Sequence, residues 1–294
     1  MTPFLFNERF PRSNRYNPVW VTENPMGANP LWLAEWLTQH MDLQPDMRVL
    51  DLGCGKAKSS IFLAREFDVE VWAVDLWTGA DENLARLEDV GVSDRVMPIH
   101  ADARQLPFAG EFFDAVVCID SFQYFGTDDL YLNYLAHFLR VGGTLAFVSA
   151  GQMQEFGAPV PEHLKRLWTG DYWTLHTSGW WRRHVEKTGL FEVTHAGTIP
   201  EGWQLWLEWA EATQSAAWYR ETLKADQGRY LGYTSLVARR IDGPALAGHA
   251  WPSTLRFDES DYRPYPLLRD DKVARGPLKA LTDRLRRLDG RSGE

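Results

Sequence analysis

The sequence predicts an α/β fold built on a doubly wound, mostly parallel sheet, and three observations carry that expectation. From Met47 onward, short apolar runs alternate with amphipathic stretches at the spacing of strand–helix units. Several of those runs end on an acidic residue. The first run passes directly into a glycine-containing turn, Leu52-Gly-Cys-Gly55, and then into a helical pattern.

Met47 to Leu52 reads as the first strand. Lys56 to Phe67 is helical, with Ile61, Phe62, Ala64 and Arg65 on a helical period. Glu70 to Asp75 is the second strand, and Ala80 to Val90 a helix whose Asp81 and Glu82 suit its positive end. Val96 to His100, Phe113 to Ile119 and Thr144 to Ser149 are the next three strands. Asp128 to Leu139 is a helix stopped by Gly142 and Gly143. Ser178, as N-cap, starts a helix to Thr188 that leads into a strand at Phe191 to Ala196. A helical insertion, Trp203 to Ala225, precedes the last strand, Tyr230 to Arg239, making seven strands. The chain divides into an N-terminal arm with a lid helix, Leu31 to Met41 (1–46), a core domain (47–240) and a C-terminal extension (241–294). Insertions interrupt the core at about 151–177 and 202–226. The extension ends in an amphipathic helix with Leu278, Leu281, Leu285 and Leu288 on one face. That helix packs on the domain or on a second subunit, which leaves a homodimer open.

The 294 residues suit one α/β domain with additions. Hydrophobic content of 45% and charged content of 24% describe a globular chain. A net charge of -9 lacks the basic footprint that nucleic acid requires, so the expected partner is a small molecule. Cys54 and Cys118 form no C-x-x-C pair and read as packed thiols of a reducing compartment. No signal-peptide layout and no membrane-length apolar run occur, so the expected location is the cytoplasm, away from membranes. His163, His176, His184 and His195 make no compact ligand pattern, and no metal is expected. Asp128 and Asp129 suit a helix start better than Mg²⁺. The 14 tryptophans are unusual. Indoles bury large areas and keep one N–H, which suits a helical cap on the core. An aromatic pocket that holds a cation against ring faces is the alternative use.

The glycine turn needs Gly53 and Gly55 because backbone must approach a ligand, or turn through positive φ, without a Cβ in the way. Asp75 closes the second strand, where a carboxylate accepts hydrogen bonds from ribose hydroxyls. Asp102 follows the third strand, placed for an adenine amino group, and Asp120 ends the fourth. With Asp51, four acids at four consecutive strand ends converge on one crevice.

Asp51-Leu-Gly-Cys-Gly55, Asp75, Asp102 and the stretch Phe112 to Phe125 resemble motifs I to IV of class I, Rossmann-like S-adenosylmethionine-dependent methyltransferases of the small-molecule type. Leu139-Arg-Val-Gly-Gly-Thr-Leu145 is similar to the turn before their fifth strand. The resemblance covers residues 30–150 well and 178–239 more loosely. It implies S-adenosylmethionine as cofactor. Gly53, Cys54 and Gly55 would pass its methionine part, with Asp51 near the amino group. Asp75 would hold the ribose, Asp102 and Ala103 the adenine, and Leu76 and Trp77 its face, with Asp120 completing the crevice. Ala57 stands where the common pattern has a third glycine. An NAD(P)-dependent oxidoreductase is the alternative enzyme, but its pyrophosphate fingerprint lacks that same type of glycine here, at Lys58. A non-catalytic S-adenosylmethionine-binding module is the alternative outside enzymes.

Methyl transfer asks the protein mainly for position, and a base only when the acceptor must lose a proton. His176 and Tyr124 are the candidate catalytic side chains. Tyr16, Trp20, Gln123, Tyr124 and Trp203 are the candidate substrate contacts. O- or N-methylation leads, with C- and S-methylation open.

Overall fold

The computed structural model describes residues 5–23 and 25–243. Asn24 of the arm and the helix expected around Leu278 to Leu288 lie outside the described residues. Strands β1 (Arg48–Leu52), β2 (Glu70–Asp75), β3 (Val96–His100), β4 (Phe113–Ile119), β5 (Leu139–Gln152), β6 (Phe191–Thr198) and β7 (Leu231–Arg240) form one sheet. Its order is β3-β2-β1-β4-β5-β7-β6. The pairs from β3 through β5 are parallel, and β7 runs antiparallel to both β5 and β6. The mostly parallel seven-stranded sheet expected from the sequence is the observed one.

The helices are α1 (Pro18–Thr22), α2 (Pro30–Thr38), α3 (Lys58–Phe67), α4 (Ala80–Asp89), α5 (Tyr131–Phe138), α6 (Ser178–Glu186), α7 (Gly202–Ala212) and α8 (Ala217–Asp226). The central strands are apolar on both faces, as a covered parallel sheet requires. Val49 of β1 packs in one core cluster with Leu33, Leu37 and Phe62 from α2 and α3. Its neighbour Leu50 packs in the other, with Leu135, Trp181 and Val185 from α5 and α6. The period-two alternation of the strand thus feeds two cores, one on each side.

The differences from expectation have local causes. Asp128 accepts the Leu130 amide at 2.8 Å, closing a turn that delays α5 to Tyr131. Gly142 and Gly143 lie inside the early part of β5, where the β4–β5 register shifts. A Cβ on Gly143 would sit 2.8 Å from the Asp114 carbonyl oxygen, so close strand approach, not helix termination, needs the glycine. Thr177, not Ser178, caps α6 through its side chain and the Trp180 amide. The insertion after β6 is two helices, broken between Ala212 and Ala217. The arm holds α1, capped by Asn17 with Pro18 at its first position, and Asn29 with Pro30 starts α2 in the same way.

Candidate active site

The chain runs outward from β1 to β3 and returns to β4 beside β1, so a crevice opens at the carboxyl ends of β1 and β4. Gly53 (φ 75°) and Gly55 (φ 54°) carry the turn from β1 to α3, and the Gly53 amide donates to the Val74 carbonyl at 2.8 Å. A Cβ on Gly53 would meet Ser121 Oγ at 2.3 Å, and one on Gly55 would reach the Met26 sulfur at 3.4 Å. Ala57, in the third-glycine place, also has positive φ (56°) and forms the N-cap of α3.

Over this turn lies a cavity of about 410 Å³, within the range of small-molecule sites. Gly53, Cys54, Gly55, Asp75, Leu76 and Trp77 line one side, and Asp102, Ala103 and Asp120 complete it. Pro25, Met26, Gly27 and Ala28 of the arm form part of the same wall. Asp75 is buried; its Oδ2 accepts from Gly55 N at 2.8 Å, its Oδ1 from Trp77 N and Thr78 N, both at 2.8 Å. Oδ2 therefore keeps acceptor capacity toward the cavity. Asp102 is gripped by Arg104, with Oδ2 2.8 Å from Nη2 and Oδ1 3.0 Å from Nε. That hydrogen bond holds the Asp102 carboxyl below the usual carboxylate range.

Three side chains tether the part of the arm beside the cavity. Asp120 Oδ2 accepts from Ala28 N at 2.9 Å, while its Oδ1 accepts from Ala150 N at 3.0 Å. Trp209 Nε1 donates to the Gly27 carbonyl at 2.8 Å. Lys58 Nζ donates to the carbonyls of Val21 and Glu23, and its burial lowers its pKa to about 8. Burial raises the Asp120 carboxyl against the opposing effect of its two amide donors.

A second chamber of about 400 Å³ adjoins the first. The two share Gly27, Ala28, Asp120, Tyr124, Asp171 and Trp209. Its wall is aromatic: Trp206 stacks on Tyr233 (5.4 Å) and donates from Nε1 to Tyr219 Oη at 2.7 Å, and Tyr172 Oη donates to the same oxygen at 3.4 Å.

Residues 49–143 match the family described as "Methyltransferase domain". Methyltransferase GfsG of Streptomyces halstedii is 31% identical over 162 residues, which are 54% of this chain and 58% of that protein. The matches span about half the length of such curated relatives. Phosphoethanolamine N-methyltransferase 2 of Haemonchus contortus, solved with S-adenosyl-L-methionine, shares the fold at TM-score 0.62 and 19% identity, over 81% of this chain and 59% of that one. The [4+2]-cyclase SpnF shares it at TM-score 0.58 and 20% identity, over 71% of this chain and 81% of that one. The sheet order is that of the class I methyltransferase fold, and residues 49–143 carry the match to a methyltransferase domain.

Nine of the ten residues singled out for a cofactor line the first cavity; Asp51 does not. Asp51 is fully buried behind the turn, where its Oδ2 accepts from Ser59 Oγ and Ser60 Oγ, each at 2.6 Å, and its Oδ1 has no partner. Tyr124 lines both cavities, and Gln123 lines the second. Four other candidates lie outside both cavities. His176 lines neither cavity: its ring stacks on Trp180 at 3.8 Å and faces Glu155, with Nδ1 3.6 Å from Oε2. Trp203 packs against Gly228, where a Cβ would fall 2.4 Å from its Cδ1. Tyr16 and Trp20 stack on each other (5.9 Å) over a separate cleft, with Tyr16 Oη donating to Glu66 at 3.1 Å, and so fix the arm to α3.

Sequence reasoning passed over Trp206, Trp209, Trp218, Tyr172, Tyr219 and Asp171 as individual site residues. Trp206 and Trp209 are three apart and share a helix face, which was a usable signal. Tyr172 and Asp171 sit in irregular chain, where no periodicity points. Among the described residues, no His/Cys/Asp/Glu cluster suits a metal and no helix is long and apolar enough to cross a membrane.

Proposed function

We propose that this protein transfers a methyl group from S-adenosylmethionine to a small-molecule acceptor. The observation that carries this is the pairing of two adjoining chambers across Asp120: one over the glycine turn, the other aromatic. The first fits an adenosyl cofactor. Gly53 and Gly55 leave room for it, Asp75 Oδ2 has acceptor capacity for a ribose hydroxyl, and Leu76 and Trp77 present apolar surface for an adenine face. When bound, S-adenosylmethionine supplies a methyl group on a sulfonium: the acceptor lone pair forms the new bond as the C–S bond breaks and its electron pair stays on sulfur.

The chain's own part is placement. Backbone at the turn and Asp75 fix the cofactor end, and the arm, held by Asp120, Trp209 and Lys58, limits water at the junction. Tyr124 and Gln123 contribute to the wall between the chambers. The SpnF likeness keeps a second reading alive, since that protein is a cyclase on the same fold. The test is calorimetry with S-adenosylmethionine, S-adenosylhomocysteine and NADH, followed by a methyl-transfer assay over a small-molecule panel. Micromolar-range binding of both adenosyl ligands with turnover supports the reading. NADH binding alone overturns the cofactor, and adenosyl binding without methyl transfer to any acceptor favours the second reading.

A further inference from the structure

The second chamber has a one-sided chemistry. Its charged lining groups are the carboxylates of Asp120 and Asp171; among the described residues no Lys, Arg or His lines it. Arg166 touches the aromatic wall, 4.2 Å from the Trp218 ring centroid, but is not a lining residue. Carboxylate or phosphate ligands would meet repulsion here without a compensating cation.

A separate observation asks for a donor. Gln123 is 3% exposed and lines the chamber, and its Oε1 has no hydrogen-bond partner. The amide orientation is fixed at its other end, where Nε2 donates to the Asp120 carbonyl at 3.1 Å. A buried carbonyl oxygen left without a donor is costly, which favours a ligand that brings an N–H or O–H. Two of the wall hydroxyls are engaged with each other: Tyr172 Oη donates to Tyr219 Oη, which also takes the Trp206 N–H. Aromatic rings, among them Trp206, Trp209, Trp218 and Tyr233, make up much of the rest of the lining, and ring faces attract cations.

We propose that the second chamber recognises a primary or secondary amine on an apolar skeleton, bound as its ammonium form between the aromatic wall, the Asp120 carboxylate and Gln123 Oε1. This rests on the methyltransferase reading and narrows its acceptor to amines. An ammonium must shed one proton before its nitrogen carries a lone pair, and the Asp120 carboxylate at the junction of the chambers takes that proton. The charge of Asp120 reaches across the site: burial first and this carboxylate second push up the phenols of Tyr124 and Tyr233.

The test uses the full chain saturated with S-adenosylhomocysteine, whose own binding is measured first. Tryptamine, tryptophol and indole-3-acetate then share one skeleton with an ammonium, a hydroxyl and a carboxylate; benzylamine, benzyl alcohol and benzoate form a second series. The amine of at least one series is expected to bind about tenfold tighter than its alcohol, a gap of about 1.4 kcal/mol, and the acid most weakly. Gln123→Met should narrow the amine-to-alcohol ratio several-fold while S-adenosylhomocysteine affinity stays. Equal or tighter binding of the alcohol or the acid in both series overturns the amine assignment alone. Failure to bind S-adenosylhomocysteine removes the methyltransferase reading and this inference with it.

Discussion

Asp120 Oδ2 lies 2.9 Å from the backbone nitrogen of Ala28, so a carboxylate at the end of β4 holds the arm across 92 residues of sequence. Its other oxygen holds Ala150 at the end of β5. The residue takes positive φ (56°), uncommon for a side chain other than glycine, so the backbone aims the carboxylate at some conformational cost. A Cβ on Gly27 would fall 2.7 Å from Asp120 Oδ2, which explains why the arm is glycine at the closest approach.

Asp120→Ala therefore strands two backbone amides, at a cost of about 1–3 kcal/mol each where they stay buried. The expected result is faster proteolytic cleavage in the arm and S-adenosylhomocysteine binding weakened by about tenfold, near 1.4 kcal/mol. Trp209→Phe, which removes only the N–H to the Gly27 carbonyl, should act in the same direction and less strongly. Limited proteolysis and calorimetry check both. Unchanged arm cleavage and affinity in both variants would show that the tether has no role in closing the cavity.

Asp51 offers a pH test. Burial pushes its carboxyl from 3.8 to about 6, against the Ser59 and Ser60 hydrogen bonds that lower it. The folded state thus binds its proton more tightly than the unfolded chain. Stability from this group is full below about 4, and is lost as pH rises through about 6. The loss is at most about 3 kcal/mol by pH 8. Asp51→Asn keeps an oxygen for the two serine hydroxyls and has no proton to lose. The difference in stability between Asn and Asp forms should shift in favour of Asn between pH 5 and pH 8. Buried histidines, whose pKa values fall on folding, act oppositely but equally in both proteins, so urea unfolding of the pair isolates Asp51. A pH-independent difference would contradict the assignment.

How far the sequence reveals this architecture depends on the kind of signal. The limits of β2 and β4 are visible because buried parallel strands are largely apolar runs, here closed by Asp75 and followed by Asp120; the half-buried β3 shows as a short apolar run two residues before Asp102. The glycine turn is visible because positive φ and close approach restrict residue type. The lengthened β5 is hidden, because Gly142 and Gly143 look the same whether they stop a helix or admit a neighbouring strand. The second chamber is hidden for a different reason: its wall joins irregular chain at Tyr172 to α7, α8 and β7, and only packing brings them together. Tyr16, Trp20, Trp203 and His176 are chemically suitable side chains that packing points elsewhere.

His176 is the clearest such case. Its ring stacks at 10° on Trp180, outside both cavities, and burial lowers its pKa. His176→Ala should leave S-adenosylhomocysteine affinity and the shape of any pH–rate profile unchanged. The cost should fall on stability, about 0.5–1.5 kcal/mol from the lost stack. Urea unfolding beside a pH–rate profile measures both. Loss of a neutral-pH limb in the variant would restore the histidine as a base.

Tyr219 joins the chamber wall, and its role separates by a double substitution. Its hydroxyl oxygen takes the Trp206 Nε1–H at 2.7 Å and the Tyr172 hydroxyl at 3.4 Å, and Trp206 is 6% exposed. Tyr219→Phe leaves that indole N–H without its acceptor, at a cost of about 1–3 kcal/mol. Trp206→Phe removes the donor instead, trading the lost bond against a smaller ring beside Tyr233. When both are phenylalanine, no polar atom of this pair remains to be satisfied. The double variant should then be less destabilised than the sum of the singles, by about 1 kcal/mol, because residues in contact are not additive. S-adenosylhomocysteine affinity should stay constant throughout, since neither residue lines the first cavity. Strict additivity in urea unfolding would mean that the Trp206–Tyr219 bond contributes nothing to the wall.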